Sequence, residues 1–377
     1  MPVERVVLWG TADFGKPRVR ILVDGLRADK VLVGECVYDI WSGVEDKSQV
    51  KGVIAWLKIT LKYCLAYPVL IFQYIRAPRH DVVLVAYLGH FDVLILWPFA
   101  KLRGAKIVWD AFLSLHGTIV EDRKLFSQTH PVARTVHSIE KLACNAADVV
   151  VLDTRAHAEY FSTRYGLRKE KVISVWVGAE TDMFHRDVTP QNRKDNDEFN
   201  VLFYGQFIPL HGIEFIIDAA RRTSDPAIKW TIIGRGQERA KIDELIKNFG
   251  VPSLNLIDWV DYGELPKLIA QSDLCLGIFG VSDKAARVIP NKVFQILAIG
   301  RPLATADTPA IREIITEQTH GVWLVEPGSG EALAGAVAAA KRWRSENGNS
   351  VLYPEIERKI SPQAITQSLI VQIERTS

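Results

Sequence analysis

The chain predicts an α/β protein of two domains, each a parallel sheet covered by helices. Short apolar, β-branched runs alternate with helical patterns along its whole length. Its 377 residues are enough for two domains that each bury a core. A polar, Pro-bearing stretch at 185–199 interrupts the alternation near the middle. The resulting division is an N-terminal domain over 1–184, a linker over 185–199, a second domain over 200–355 and a last helix within 356–377.

Composition narrows the class. With 48% hydrophobic and 24% charged residues and a formal net charge of +2, the chain lacks the excess of Lys and Arg that a nucleic-acid binder carries, so no nucleic-acid partner is expected. Cys36, Cys64, Cys144 and Cys275 have no metal-ligand spacing and read as reduced, mostly buried thiols. The opening MPVERVVLWG has no apolar core with a cleavage site, so the expectation is a cytoplasmic protein.

In order, Val6–Trp9 reads as a strand, followed by Gly10, Thr11 and a helix carrying Val19, Ile21, Leu22 and Leu26. The glycines do not fit a dinucleotide fingerprint. Gly10, Thr11, Arg18 and Arg20 fit either a diphosphate contact or a structural turn with surface arginines. Val53–Ile75 is the most apolar stretch, but Lys58, Lys62 and Pro68 argue against a membrane span. It reads either as a helix packed on the first sheet or as a helix lying on anionic lipid with Trp56, Lys58 and Lys62, a peripheral contact at the inner membrane face. Val82–Tyr87, Lys106–Trp109, Ala147–Leu152 and Val172–Trp176 continue the strands. The loops after them carry His90 and the stretch Asp110–Thr118, with Ser114 and His116.

The second half restarts at Val201–Tyr204 and the loop Gly205–Gly212, and Trp230–Ile233 ends in the close-approach turn Gly234-Arg235-Gly236. Leu274–Phe279 is followed by a basic loop and a helix that opens near Pro290-Asn291 and stops at Gly300. Lys284, Arg287 and Lys292 lie beside that helix's N-terminal end, an arrangement that attracts phosphate, although a solvated basic loop gives the same pattern. Asp195-Asn196-Asp197 has the form of a metal-binding D-x-D, but its position in a strandless linker argues against that use.

The segment Asn291-Lys292-Val293-Phe294-Gln295-Ile296-Leu297-Ala298-Ile299-Gly300-Arg301-Pro302 resembles the donor-site segment of family 4 glycosyltransferases of the GT-B fold. Gly178–Phe184 is similar to the exit from their first domain, and Gly205–Gly212 to their phosphate loop. The resemblance runs from about Leu8 to the last helix. It implies two Rossmann-like domains facing across a cleft, a last helix returning to the first domain, and sugar transfer from a UDP- or GDP-linked donor with retention of configuration and no essential metal or other cofactor. The family's Arg and Lys in the phosphate loop are replaced by Gln206 and His211, and its two glutamates by Arg287 and Gln295.

The resemblance gives Gln295 to the ribose hydroxyls, Val260 with Trp259 to the base, and Gly205, Gln206, His211 and Lys292 to the rest of the donor, to which Gly234 is added as a close-approach turn and Lys284 as a cation of the basic loop. Gly10, Thr11 and Arg18 are added from the first domain. Arg287, Lys292, Lys284 and His211 are the candidates for stabilising the leaving group, and Asp110 and His116 are the candidates beside the reacting sugar, with His90 third. The expected acceptor is a glycan or a lipid-linked glycan. Loss of both glutamates leaves a second class open, an inactive scaffold serving as a partner subunit, and a sugar-nucleotide epimerase shares the architecture.

Overall fold

A computed structural model describes residues 2–40, 53–188, 198–251, 253–348 and 353–376, without the side chains of residues 53–56. The D-x-D triplet at 195–197, most of the expected linker and the Trp56 side chain lie outside the described residues. The chain divides into two compact units, one of Met1–Val120, Lys124–Val177 and Ser361–Ser377, the other of Glu121–Arg123 and Gly178–Ile360.

The first unit runs β1 (Val6–Gly10), α1 (Pro17–Ala28), β2 (Leu32–Val37), α2 (Val53–Arg76), β3 (Val82–Val85), α3 (His90–Arg103), β4 (Lys106–Phe112), α4 (Pro131–Ala146), β5 (Val149–Leu152), α5 (Arg155–Tyr165) and β6 (Val172–Ser174). Its six strands are parallel in the order β2-β1-β3-β4-β5-β6. β1, β3 and β5 are buried at every position, as strands covered on both faces must be. α2 packs one face inward through Ala66, Leu70 and Tyr74.

The second unit runs β7 (Phe199–Tyr204), α6 (Ile213–Arg222), β8 (Ile228–Ile233), α7 (Arg239–Phe249), β9 (Leu254–Ile257), α8 (Leu265–Gln271), β10 (Leu274–Leu276), α9 (Asp283–Arg287), α10 (Asn291–Ile299), β11 (Leu303–Ala306), β12 (Val322–Val325), α11 (Gly330–Asn347) and α12 (Pro354–Ile360). The sheet order is β12-β11-β10-β7-β8-β9. Strand order therefore reverses between β7 and β10, and the loops leaving their carboxyl ends flank a topological switch point.

The last segment is two helices, where the sequence suggests one. α12 stays with the second unit, and α13 (Pro362–Arg375), capped by the Ser361 hydroxyl, packs on α1 within the first. Gly25 permits that packing, because a Cβ there would lie 2.2 Å from the Pro362 carbonyl oxygen. The basic loop after β10 is also more ordered than the sequence suggests. It forms the one-turn α9, whose Ala285 N–H is capped by Ser282 at 3.2 Å. All four cysteines are free, three of them buried and Cys64 exposed. Among the described residues no helix is long and apolar enough to cross a membrane.

Candidate functional site

The switch point of the second unit gathers most of the cationic candidates. β7 ends at Tyr204, and Gly205 follows with φ 146°, a backbone region open to glycine and strained for other residues. A Cβ on Gly205 would lie 2.8 Å from Lys292 Nζ and 3.1 Å from His211 Cε1, so the loop backbone, the imidazole and the ammonium converge on one spot. Gly212, at φ 63°, lets the end of the same loop press on Phe279 and Gly280, and the Phe279 N–H donates to the His211 carbonyl at 3.0 Å. Gly234 closes the other side, where a Cβ would meet the Gly205 carbonyl oxygen at 1.9 Å. Its role is to let two loops touch.

Lys292 stands in the first turn of α10 and is 5% exposed. Its Nζ lies 3.8 Å from the centroid of the Phe203 ring and has no hydrogen-bond partner. Burial pushes this amine well below the usual lysine range. A buried, unpartnered amine is costly, which is what a site waiting for an anion looks like. His211 is 8% exposed, and its Nδ1–H donates to the Gln206 carbonyl, which leaves Nε2 as the position that gains or loses a proton. Burial first, and then the Lys292 charge, hold its pKa well below the ordinary value. Helices α6 and α10 both begin at this point, and neither receives a side-chain cap. The first N–H groups of each helix are thus left without a side-chain acceptor at the positive end of its dipole.

Other donor-side candidates are engaged within the protein. The Gln295 amide oxygen accepts from the Tyr204 hydroxyl at 2.8 Å, and its NH2 donates to Tyr262 at 2.9 Å. Tyr262 in turn donates to Glu180 at 2.6 Å. Arg287, on α9 beside the Pro209–His211 turn, bonds to Glu121 at 2.9 Å, and Lys284 Nζ lies 3.9 Å from the Asp122 carboxylate. Both cations are thus partly neutralised, whereas Lys292 Nζ has no hydrogen-bond partner. Val260 is half-buried, next to Trp259, which is 52% exposed beneath the Arg235 guanidinium at 5.4 Å.

In the first unit the structure corrects several expectations. Arg18 and Asp110 are both fully buried and bound to each other, with Arg18 Nη2 2.8 Å from Asp110 Oδ1. Arg18 also donates to the carbonyls of Val175 and Trp176 at 2.8 and 2.6 Å. A fully buried guanidinium with five hydrogen bonds inside the protein has nothing left for a diphosphate, and Asp110 is spent holding it. Nor does the Gly10-Thr11 turn offer its amide to a phosphate. The Thr11 N–H and hydroxyl donate to Asp92 at 2.8 and 3.0 Å, and a Cβ on Gly10 would lie 2.6 Å from that carboxylate. Tyr67 donates to the same group at 3.0 Å.

His116 is buried beside His137 and within 3.0 Å of Arg164, which gives it a packing role. His90 faces Glu140 at 3.1 Å. Glu140, on α4, is the residue that the sequence reading missed. It is fully buried and also accepts from Ser114 at 2.8 Å, from the Leu115 N–H at 2.7 Å and from the Tyr165 hydroxyl. The available signal was a carboxylate on the apolar stripe of Ala133, Ala143 and Cys144.

Burial by itself raises the Glu140 pKa, but the hydrogen bonds and charge of His90, with Tyr165 and Ser114, outweigh it and bring the group down to about 2 from 4.5. A depressed carboxyl contributes stability above its unfolded pKa and loses it as pH falls through the folded value. Stability of the protein is therefore expected to fall between about pH 5 and pH 2. Glu140→Gln, less stable at neutral pH, shows a flatter decline over the same range in denaturant titrations at stepped pH.

The chain is similar to known glycosyltransferases. Residues 198–341 match the family described as Glycosyl transferases group 1. The putative colanic acid biosynthesis glycosyl transferase WcaI of Escherichia coli is 26% identical over 186 residues, 49% of this chain and 44% of that protein. The chitobiosyldiphosphodolichol beta-mannosyltransferase of Candida albicans is 22% identical over 245 residues, 61% of this chain and 53% of that protein. The matched regions span about half the length of these relatives. Anabaena HepE, solved in complex with UDP and glucose, shares the fold with a TM-score of 0.68 at 14% identity, over 98% of this chain and 99% of that one.

Proposed function

We propose that this chain, whose residues 198–341 match the group 1 glycosyltransferases and which has the GT-B fold, transfers a sugar from a nucleoside diphosphate donor to a glycan or lipid-linked glycan. The observation that carries this reading is the unpartnered Lys292 ammonium beneath Gly205, at the switch point of the second sheet. Breaking the bond from sugar to diphosphate leaves negative charge on the departing phosphate oxygens. Lys292, a protonated His211 and the uncapped first turns of α6 and α10 are placed to meet that charge without moving far. In this reading no metal is needed, because preformed donors do the work. The reaction proceeds with retention at the anomeric carbon. HepE was solved with UDP, which favours a uridine donor here too.

One observation favours a second reading, a binding subunit without transferase activity. Both polar ends of Gln295 are taken by tyrosines, and Arg287 is held by Glu121, so neither is open to a sugar nucleotide as the structure stands. Thermal shift with UDP, GDP and ADP, followed by donor hydrolysis with the corresponding sugar nucleotides, separates the two. Transferase function predicts that one diphosphate raises the melting temperature and that its sugar conjugate is slowly hydrolysed. Binding without hydrolysis or transfer, or no binding of any of the three diphosphates, overturns the transferase reading and supports the subunit.

A further inference from the structure

The buried face of α2 fits the first sheet, but its opposite face is covered by nothing among the described residues. Leu57, Leu61, Leu65 and Val69 recur every four residues and continue into Phe72 and Ile75, each between 42% and 63% exposed. The stripe is roughly 27 Å long at the helical rise per residue. Such a length of exposed aliphatic surface is unusual on a protein with no partner there.

α3 lies alongside. Tyr67 of α2 bonds to Asp92 at the start of α3, and Arg103 at its end donates to the carbonyls of Tyr74 and Ala77 at 2.6 and 2.8 Å. Phe91, Trp97 and Leu102 of α3 are exposed, Leu102 at 86%. Charge on the pair has one sign. α2 contains no acidic residue, and the only one on α3, Asp92, is 2% exposed. Lys58, Lys62 and Arg76 are all exposed on α2, and the Arg76 guanidinium lies over the Phe72 ring at 3.9 Å.

We propose that the α2–α3 face of the first unit is a docking surface for an anionic lipid bilayer. The aliphatic stripe enters the interface while the lysines and Arg76 reach the headgroups along their own apolar stems, as cations at membrane surfaces do. Charge selects this occupant over a second copy of the chain, because a symmetric pairing would bring Lys58, Lys62 and Arg76 against their own counterparts. The surface is separate from the Lys292 site and does not depend on the proposed reaction.

The test is co-sedimentation of the full chain with mixed phosphatidylcholine–phosphatidylglycerol vesicles at low salt, with pure phosphatidylcholine vesicles in parallel. The expected result is a bound fraction on the anionic vesicles that falls about tenfold or more in Leu61→Glu/Leu65→Glu and in Lys58→Glu/Lys62→Glu. Thermal melting of both variants, unchanged from the parent, shows that they fold. Trp97 fluorescence is expected to be quenched by brominated lipid in the same vesicles. Absence of co-sedimentation overturns the proposal, as does equal binding to neutral and anionic vesicles. A concentration-dependent dimer that Leu61→Glu/Leu65→Glu dissociates, without vesicle binding, overturns it in favour of a second copy.

Discussion

Lys292→Met is expected to weaken binding of the donor diphosphate by about 10- to 100-fold, the loss that follows when a charge-assisted hydrogen bond worth roughly 1.5–3 kcal/mol is removed. The same substitution is expected to raise the melting temperature of the free protein. It replaces a buried amine that has no hydrogen-bond partner with a side chain of similar length that the Phe203 ring accepts as an apolar neighbour. Opposite signs for binding and stability are the signature of a residue kept for a ligand. A general loss of packing would lower both. Proton linkage follows from the same site. Burial holds Lys292 and His211 toward their neutral forms, and an arriving diphosphate favours the charged ones, so binding takes up protons. Calorimetric titrations in buffers of different ionisation enthalpy are expected to give different apparent enthalpies, and identical values would remove this part of the account.

Asp110→Ala is expected to cost about 3–5 kcal/mol of stability, because it leaves the Arg18 guanidinium buried with only the two carbonyls of Val175 and Trp176. For a unit of this size that corresponds to a fall in melting temperature of roughly 6–20 °C. Replacing both partners, as Arg18→Met/Asp110→Leu, is expected to cost less than Asp110→Ala alone, since no charge is then stranded. A chemical role for Asp110 predicts the contrary pattern, in which Asp110→Asn melts normally and loses only activity. Chemical denaturation of the three variants separates the two.

The strand-loop-helix order and the second unit's glycine-marked loops were readable because they are local. Val201–Tyr204 is an unbroken apolar run, Gly205 and Gly212 mark the turn, and Pro290, Asn291 and Gly300 bracket α10 within eleven residues. β2 and β11 escaped notice for local reasons as well. β2 carries Gly34 and Glu35, which interrupt its apolar pattern, and β11 is Leu-Ala-Thr-Ala, small residues that bury fully without looking hydrophobic. The misassigned site residues failed for the opposite reason. Arg18 meets Asp110 across 92 positions, Thr11 meets Asp92 across 81, and His90 meets Glu140 across 50. Residue type alone offers these groups to a ligand, and only the fold reveals that they already hold each other. Gln295 is the mixed case. Its place on α10 was legible, and its capture by Tyr204 and Tyr262 was not.

The most direct test of the account is a crystal structure of the protein soaked with a mixture of UDP and GDP. The expected density is a nucleoside diphosphate whose phosphate oxygens lie within hydrogen-bond reach of Lys292 Nζ, the His211 ring and the first N–H groups of α6 or α10. A nucleotide bound elsewhere on the chain, with Lys292 still alone beneath Gly205, would contradict it.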